Sequence, residues 1–219
     1  MAITALQALN RTLVKLRESE VTDITGQTSY VNMVMQLVNE AKEEVEEAYE
    51  WNYQNTTATL SVVAGTDTYE LDNWGDNYVI DLVYDSDKNY TIKQRATNAA
   101  VDQAANYSIV TSTSAYQWTP YGVSADGDPQ IKFYPNPGAA TTVKVLGRVK
   151  QSWLSDKTTV MLVPWRPVVT LAYAKAISER GEDGGMSYEE AQMEADRALA
   201  RAITAENALG HIDKNWKVG

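Results

Sequence analysis

One histidine, His211, and no cysteine stand in a chain of 219 residues, and that scarcity restricts the chemistry available. A Ser-His-Asp triad or a His-ligated zinc would have to be built on His211 alone, and no Walker loop, GxGxxG, GxSxG or HExxH run is present. Without cysteine there is neither a disulfide nor a thiolate nucleophile. The densest set of ionisable groups is Glu40, Glu43, Glu44, Glu46, Glu47 and Glu50. Carboxylate metal bundles need inward-facing Glu joined to Glu-x-x-His pairs, and here the histidines are missing. Several of these glutamates fall opposite the apolar stripe of their helix, so they read as a solvated face or as a docking face for a basic partner, with Glu43 and Glu47 as contacts. Asp85-Ser-Asp87-Lys-Asn89 starts like a calcium loop, but Tyr90 stands where Gly is needed and Ala96 where Glu is needed. A hairpin turn accounts for it better, and Asp126-Gly127-Asp128 reads as a turn too. Paired glycosidase carboxylates have no fixed spacing, and nothing lifts such a pair above background. The residues predict no enzyme, no metal and no cofactor.

Two further groups could bind rather than react. Tyr116, Trp118 and Tyr121 lie close together in AYQWTPYGV with no basic residue among them. Stacking on a sugar or a base is conceivable, and packing inside a β region or at a protein contact is favoured. The tail GHIDKNWKVG follows an expected helix stop at Gly210 and carries Ile212 and Trp216. Such anchors fold back on their own bundle or dock on a neighbour.

The formal net charge is −10, with 44% hydrophobic and 22% charged residues. This is an ordinary globular composition, lacking the Lys/Arg excess of a sequence-reading DNA binder. An acidic wall that repels DNA fits the balance, as does solubility alone. No apolar run approaches the ~20 residues of a membrane span and no signal-peptide core opens the chain, so a soluble protein retained in the cell that makes it is expected.

The elements that must position these residues follow from periodicity. Leu6, Leu9, Leu13 and Leu16 form one helical stripe, with Thr4 as its cap. A polar loop with Gly26 leads to a second helix, capped by Ser29 and running from about Tyr30 to Trp51, or ~33 Å. Its stripe is Val34, Val38, Ala41, Val45 and Ala48. From Thr56 the period falls to two with no Gly or Pro between, which predicts a stiff joint from helix into strand. TATLSV and TYEL, around the turn AGTD, predict a hairpin. YVIDLVY, YSIV, QIKFY and TTVKVLGRV are further strands, Ala96–Asn106 a short helix, and PNPG the turn of a last hairpin. About five to seven strands are expected between Thr56 and Trp153.

Pro164 and Pro167 open a third helix with Leu171, Ala174 and Ile177 on one side, and Gly181 ends it. Ser187–Glu190 is a capping box for a final helix. There Tyr188, Ala191, Ala195, Ala198, Ala202, Ala205 and Leu209 form a small-residue seam suited to close packing. Neither helical arm can bury its stripe alone. The expected fold is therefore α+β: an antiparallel bundle of N- and C-terminal helices (1–53 and 160–219) carrying an inserted antiparallel β-sheet or sandwich region (54–159).

In element order the chain resembles the head-to-tail adaptor proteins of tailed bacteriophages, the group that is tail tubular protein A-like. The likeness lies in a helical pair ending in the aromatics Trp51 and Tyr53, a Thr-rich strand, AGTDTYEL, VIDLVY, and IKFYPNP before the C-terminal helices. The resemblance implies a virion structural protein at the head–tail junction, made in the host cytoplasm. It implies a homo-oligomeric ring of about twelve copies, each burying on the order of 1,000 Å² with its neighbours. The portal protein and a downstream tail or nozzle protein would be its partners, with tail fibres as further candidates. DNA would pass through without sequence-specific binding. A tail-tip or glycan-binding module using the Tyr116/Trp118/Tyr121 group is the alternative, and a cell-wall hydrolase a more distant one.

Overall fold

A computed structural model describes residues 2–75, 77–95, 114–181 and 187–213. The described residues are α+β, with four α-helices and two largely antiparallel sheets. The chain divides into two compact units, residues 1–53 with 151–219 and residues 54–150.

The first unit is helical. Helix α1 (Ala5–Lys15) opens with a full capping box: the Gln7 N–H donates to the Thr4 hydroxyl, and the Gln7 side-chain oxygen accepts from the Thr4 N–H. Its buried side is Ala5, Ala8, Leu9, Thr12 and Leu13. Helix α2 (Ser29–Glu47) is capped by Thr28, one residue earlier than the sequence suggests, and ends four residues short of Trp51. The joint is therefore not one continuous rod. Ala48 is the C-cap and exposed, and a single 3-10 turn, Asn52–Gln54, precedes the first strand. Trp51 is pulled into the helical core, 1% exposed, where its indole N–H donates to the Val45 carbonyl at 2.8 Å. A buried indole finds a partner, and the carbonyls of a helix's last turn offer one.

Helix α3 (Trp165–Arg180) has Pro164 as N-cap and Gly181 in the left-handed region as C-cap. Val168, Val169, Ala172, Tyr173, Ala174, Ala176 and Ile177 are buried on nearly every side, so α3 is the central post of the bundle rather than a one-sided helix. Helix α4 (Tyr188–Asp213) starts at the Ser187/Glu190 capping box, with both reciprocal hydrogen bonds made. It does not stop at Gly210. Glycine ends a helix only where it takes a left-handed conformation, and nothing after it in GHID forbids another turn. The seam is tight only at its start. Ala191 and Ala195 are 1% and 3% exposed, Ala198 and Ala202 are half-buried, and Ala205 is exposed. One apolar cluster joins Leu9, Leu13, Val34 and Val38 of the N-terminal arm to Val163, Val168 and Ala172 of the C-terminal arm.

The second unit holds β1 (Asn55–Val62), β2 (Thr68–Glu70), β3 (Tyr78–Asp85), β4 (Tyr90–Thr91), β5 (Lys93–Gln94), β6 (Gln117–Val123), β7 (Pro129–Tyr134) and β8 (Thr141–Val149). The sheet orders are β1-β8-β3-β4 and β2-β7-β6-β5, with β5–β6 the parallel pair. Two expected hairpins are absent. After AGTD the chain crosses to the other sheet, because β1 pairs with β8 and β2 with β7; PNPG likewise links β7 of one sheet to β8 of the other. The DSDKN and DGD turns do close hairpins, β3–β4 and β6–β7. Leu60, Val83, Val143 and Val145 of one sheet and Trp118, Ile131 and Phe133 of the other share one core. The expected helix at 96–106 and the YSIV strand lie outside the described residues.

Candidate functional site

The side chains with the most chemistry in the helical unit form a polar latch. Asn39, Lys42, Glu43 and Glu46 recur at steps of three and four, so they share one face of α2. The segment 151–154 lies along that face. The Lys42 ammonium donates to Glu46 Oε2 at 3.0 Å and to the Gln151 carbonyl. Glu46 Oε1 accepts from the Gln151 N–H at 3.3 Å and the Tyr53 hydroxyl at 3.5 Å. Asn39 exchanges hydrogen bonds with the Leu154 backbone in both directions, at 2.8 and 3.4 Å. Both charged side chains are 0% exposed. A buried ion pair is tolerable when its remaining hydrogen-bonding capacity is filled, and here backbone groups help to fill it. A few residues further on the chain is tied to the start of α1, since Ala5 N–H donates to Thr159 O at 2.8 Å and Met161 N–H to Ile3 O at 2.9 Å. The latch thus holds the two arms of the chain together and leaves no space for a substrate. Glu46 lies inside the protein rather than on the expected solvated face; Glu40, Glu44, Glu47 and Glu50 are exposed.

A second feature is open to solvent. A groove of about 880 Å³ runs between the segment 161–170 and α4. Its floor is apolar, with Met161, Val163, Val169, Ala198 and Ala202, and it exists because the alanine seam parts from α3 at Ala198. Trp165 stands at the junction with a smaller groove along α1, and the Arg11 guanidinium stacks 3.9 Å from its ring centroid. Arg166 lies 5.8 Å from the same ring, and Arg197 and Arg201 line the α4 side. Among the described residues none of these four arginines lies within ion-pair distance of a carboxylate, whereas Lys15 at the same groove pairs with Glu194 and Arg148 and Arg180 pair with Asp81 and Glu18. Unpaired guanidinium groups around an apolar floor suit a ligand with carboxylates around an apolar centre.

The residues singled out in the sequence are dispersed. Glu43 accepts from the Trp153 indole N–H, and Glu47 is exposed one turn further along α2. Tyr116 and Tyr121 are 46% and 43% exposed, but Trp118 is 4% exposed in the β core, so the three rings do not make one stacking surface. The Pro120/Gly122 register shift in β6 separates Tyr121 further. Tyr116 packs edge-on against Tyr134, and Lys132 sits over the Tyr121 ring. Ile212 lies in the last turn of α4 and Trp216 outside the described residues. Sequence reasoning missed the Lys42–Glu46 pair and the arginine groove. A Lys-to-Glu order at i, i+4 is ordinary on helix surfaces and flags nothing.

The chain thus combines a helical unit made from both of its ends with a two-sheet unit carried between them in sequence. The family model described as SU10 adaptor protein matches residues 3–214, and the chain belongs to that family of phage adaptor proteins, a structural rather than an enzymatic one. No curated protein matches the chain. None of its described helices is long and apolar enough to cross a membrane.

Proposed function

We propose that this adaptor is a tail tubular protein A-like head-to-tail connector. It forms a closed homo-oligomeric ring, of about twelve copies as its resemblance to the head-to-tail adaptors implies, between the portal and the tail at the head–tail junction. The observation that carries this reading is the family match over 3–214, which spans both structural units. The organisation supports it. A connector needs two ends and lateral faces, and this chain has a helical unit and a β unit, each with its own core. The net charge of −10 suits a channel through which DNA slides without adhering. The helical unit is assigned to the portal, the β unit to the downstream tail protein, and the C-terminal segment from Gly210, with Ile212 and Trp216, to the contact with portal or neighbour. Mixing the protein with portal rings and imaging by electron microscopy tests the reading. Added density on one end of the portal is expected, and a bare portal at saturating protein refutes it. A chain lacking residues 210–219 should fold and decorate portals poorly; full decoration would remove the tail from the contact.

A further inference from the structure

The ring reading leaves the lateral contact unassigned, and the inference here rests on that reading. Two surfaces of the helical unit are complementary in both shape and charge. The first is the arginine groove: an apolar floor with Leu162, 51% exposed, among its lining residues, with Arg166, Arg197 and Arg201 lining it and Arg11 on the adjoining smaller groove, all four without carboxylate partners among the described residues. The second is an apolar projection. Trp153 is 50% exposed although it lies within the latch segment, and it is held by its hydrogen bond to Glu43. Glu40, Glu44 and Glu47 lie within a turn of Glu43 on α2, and Lys175 pairs with Glu40 at 3.5 Å and with Glu44 at 2.5 Å. A half-exposed indole among carboxylates thus faces outward on one part of the unit, and an indole-and-alanine floor among guanidinium groups on another.

We propose that the arginine groove of one copy receives Trp153 and the glutamates around it from a second copy of this chain. The two surfaces share no residue, so the contact is heterologous: each copy offers a groove on one side and a projection on the other, and repetition gives a ring if the rotation closes. Guanidinium groups already stacked on Trp165 keep their N–H edges free for bidentate carboxylate pairing, and a buried Trp with Arg neighbours is the residue pattern that dominates interfaces. Duplex DNA would find the phosphate-binding guanidiniums there, but an apolar floor gives nothing to a phosphate backbone and the net charge of −10 opposes its approach.

The test is charge reversal with rescue, read by sedimentation velocity of the full chain at low and high salt. Arg197→Glu/Arg201→Glu and Glu43→Arg/Glu47→Arg should each keep a wild-type circular dichroism spectrum and each weaken self-association by roughly tenfold or more. An equimolar mixture of the two should recover it, because the acidic groove of one variant meets the basic projection of the other. Salt should weaken the wild-type contact. A wild-type chain that stays monomeric at the highest soluble concentration, a mixture that fails to recover, or a groove variant that loses duplex DNA binding while self-association is unchanged would each overturn the proposal. Failure here and failure of the connector reading are separable. Variants that decorate portals normally sink this contact alone, and a chain that self-associates through these faces but ignores portals sinks the connector alone.

Discussion

Lys42→Met should be among the most damaging single substitutions in the helical unit. The wild-type ammonium and the Glu46 carboxylate are both fully enclosed. Removing the ammonium takes the Lys42 donor from a buried carboxylate that also accepts from the Gln151 N–H at 3.3 Å and the Tyr53 hydroxyl at 3.5 Å, and strips the Gln151 carbonyl of the same donor. Breaking a buried pair from one side costs about 3–5 kcal/mol. With a urea slope of about 2 kcal/mol per molar, the unfolding midpoint should fall by about 2 M. Adding Glu46→Gln removes the stranded charge while keeping an acceptor for Gln151 and Tyr53, so the double variant should regain about half of the loss. Urea titrations of wild type, both single variants and the double, followed by circular dichroism in the helix band, close the cycle; all four described helices belong to this unit. If the single losses are about 0.5 kcal/mol or less and simply add, the pair behaves like an exposed i, i+4 pair and the latch argument is wrong.

Two further outcomes follow from other parts of the molecule. At Gly147, in the β8 strand between β1 and β3, a Cβ would overlap the Val79 carbonyl oxygen and stand 2.8 Å from the Trp74 ring. Gly147→Ala should therefore destabilise the β unit by about 1–3 kcal/mol, seen as a lower melting temperature in calorimetry, because neither a paired backbone nor a buried indole can yield cheaply. Asp23 is held down to a pKa of about 2 from 3.8, first by its hydrogen bond with Lys157 and then by the N–H groups of Thr25 and Ile24. A depressed carboxylate stabilises the fold above its unfolded value of 3.8 and loses that contribution as pH falls through about 2. Carboxyl NMR should show the midpoint near 2 in wild type, rising toward 3.8 in Lys157→Met while staying below it; an unchanged midpoint in the variant would show that the lysine is not the cause.

What the sequence made legible was mostly local. TTVKVLGRV alternates because β8 is covered on one face and partly open on the other, and its observed bounds are those of the run. The caps at Thr4, Pro164, Gly181 and Ser187 are decided within four residues of chain, so residue type sufficed. Pairing is not local. AGTD and PNPG signal reversal, but a reversal can return to the same sheet or cross to another, and only long-range contacts such as Asn55↔Arg148 decide between them. The glutamate run gave no sign that Glu46 is enclosed, because its burial depends on a segment more than a hundred residues away, at Gln151, that no helical period reveals. The arginine groove assembles from positions 161–170 and 194–202, with position 11 in the groove that adjoins it at Trp165. Each stretch reads as an ordinary polar surface until the fold brings them together.

The pairing of Asn55 with Arg148 has a consequence for how such a protein can change over time. The strands that begin and end the two-sheet unit are adjacent and antiparallel, so its entry and exit points lie roughly 5 Å apart, a neighbour-strand spacing. A unit whose ends meet can be enlarged, shortened or exchanged for another of different size without stretching the polypeptide on either side, because its loop is already closed within its own sheet. Lineages could thus refit the β portion while the latch, the central post and the arginine groove keep their sequences. A graft that joins residue 53 to residue 151 through a foreign insert with paired ends would put that separability to use.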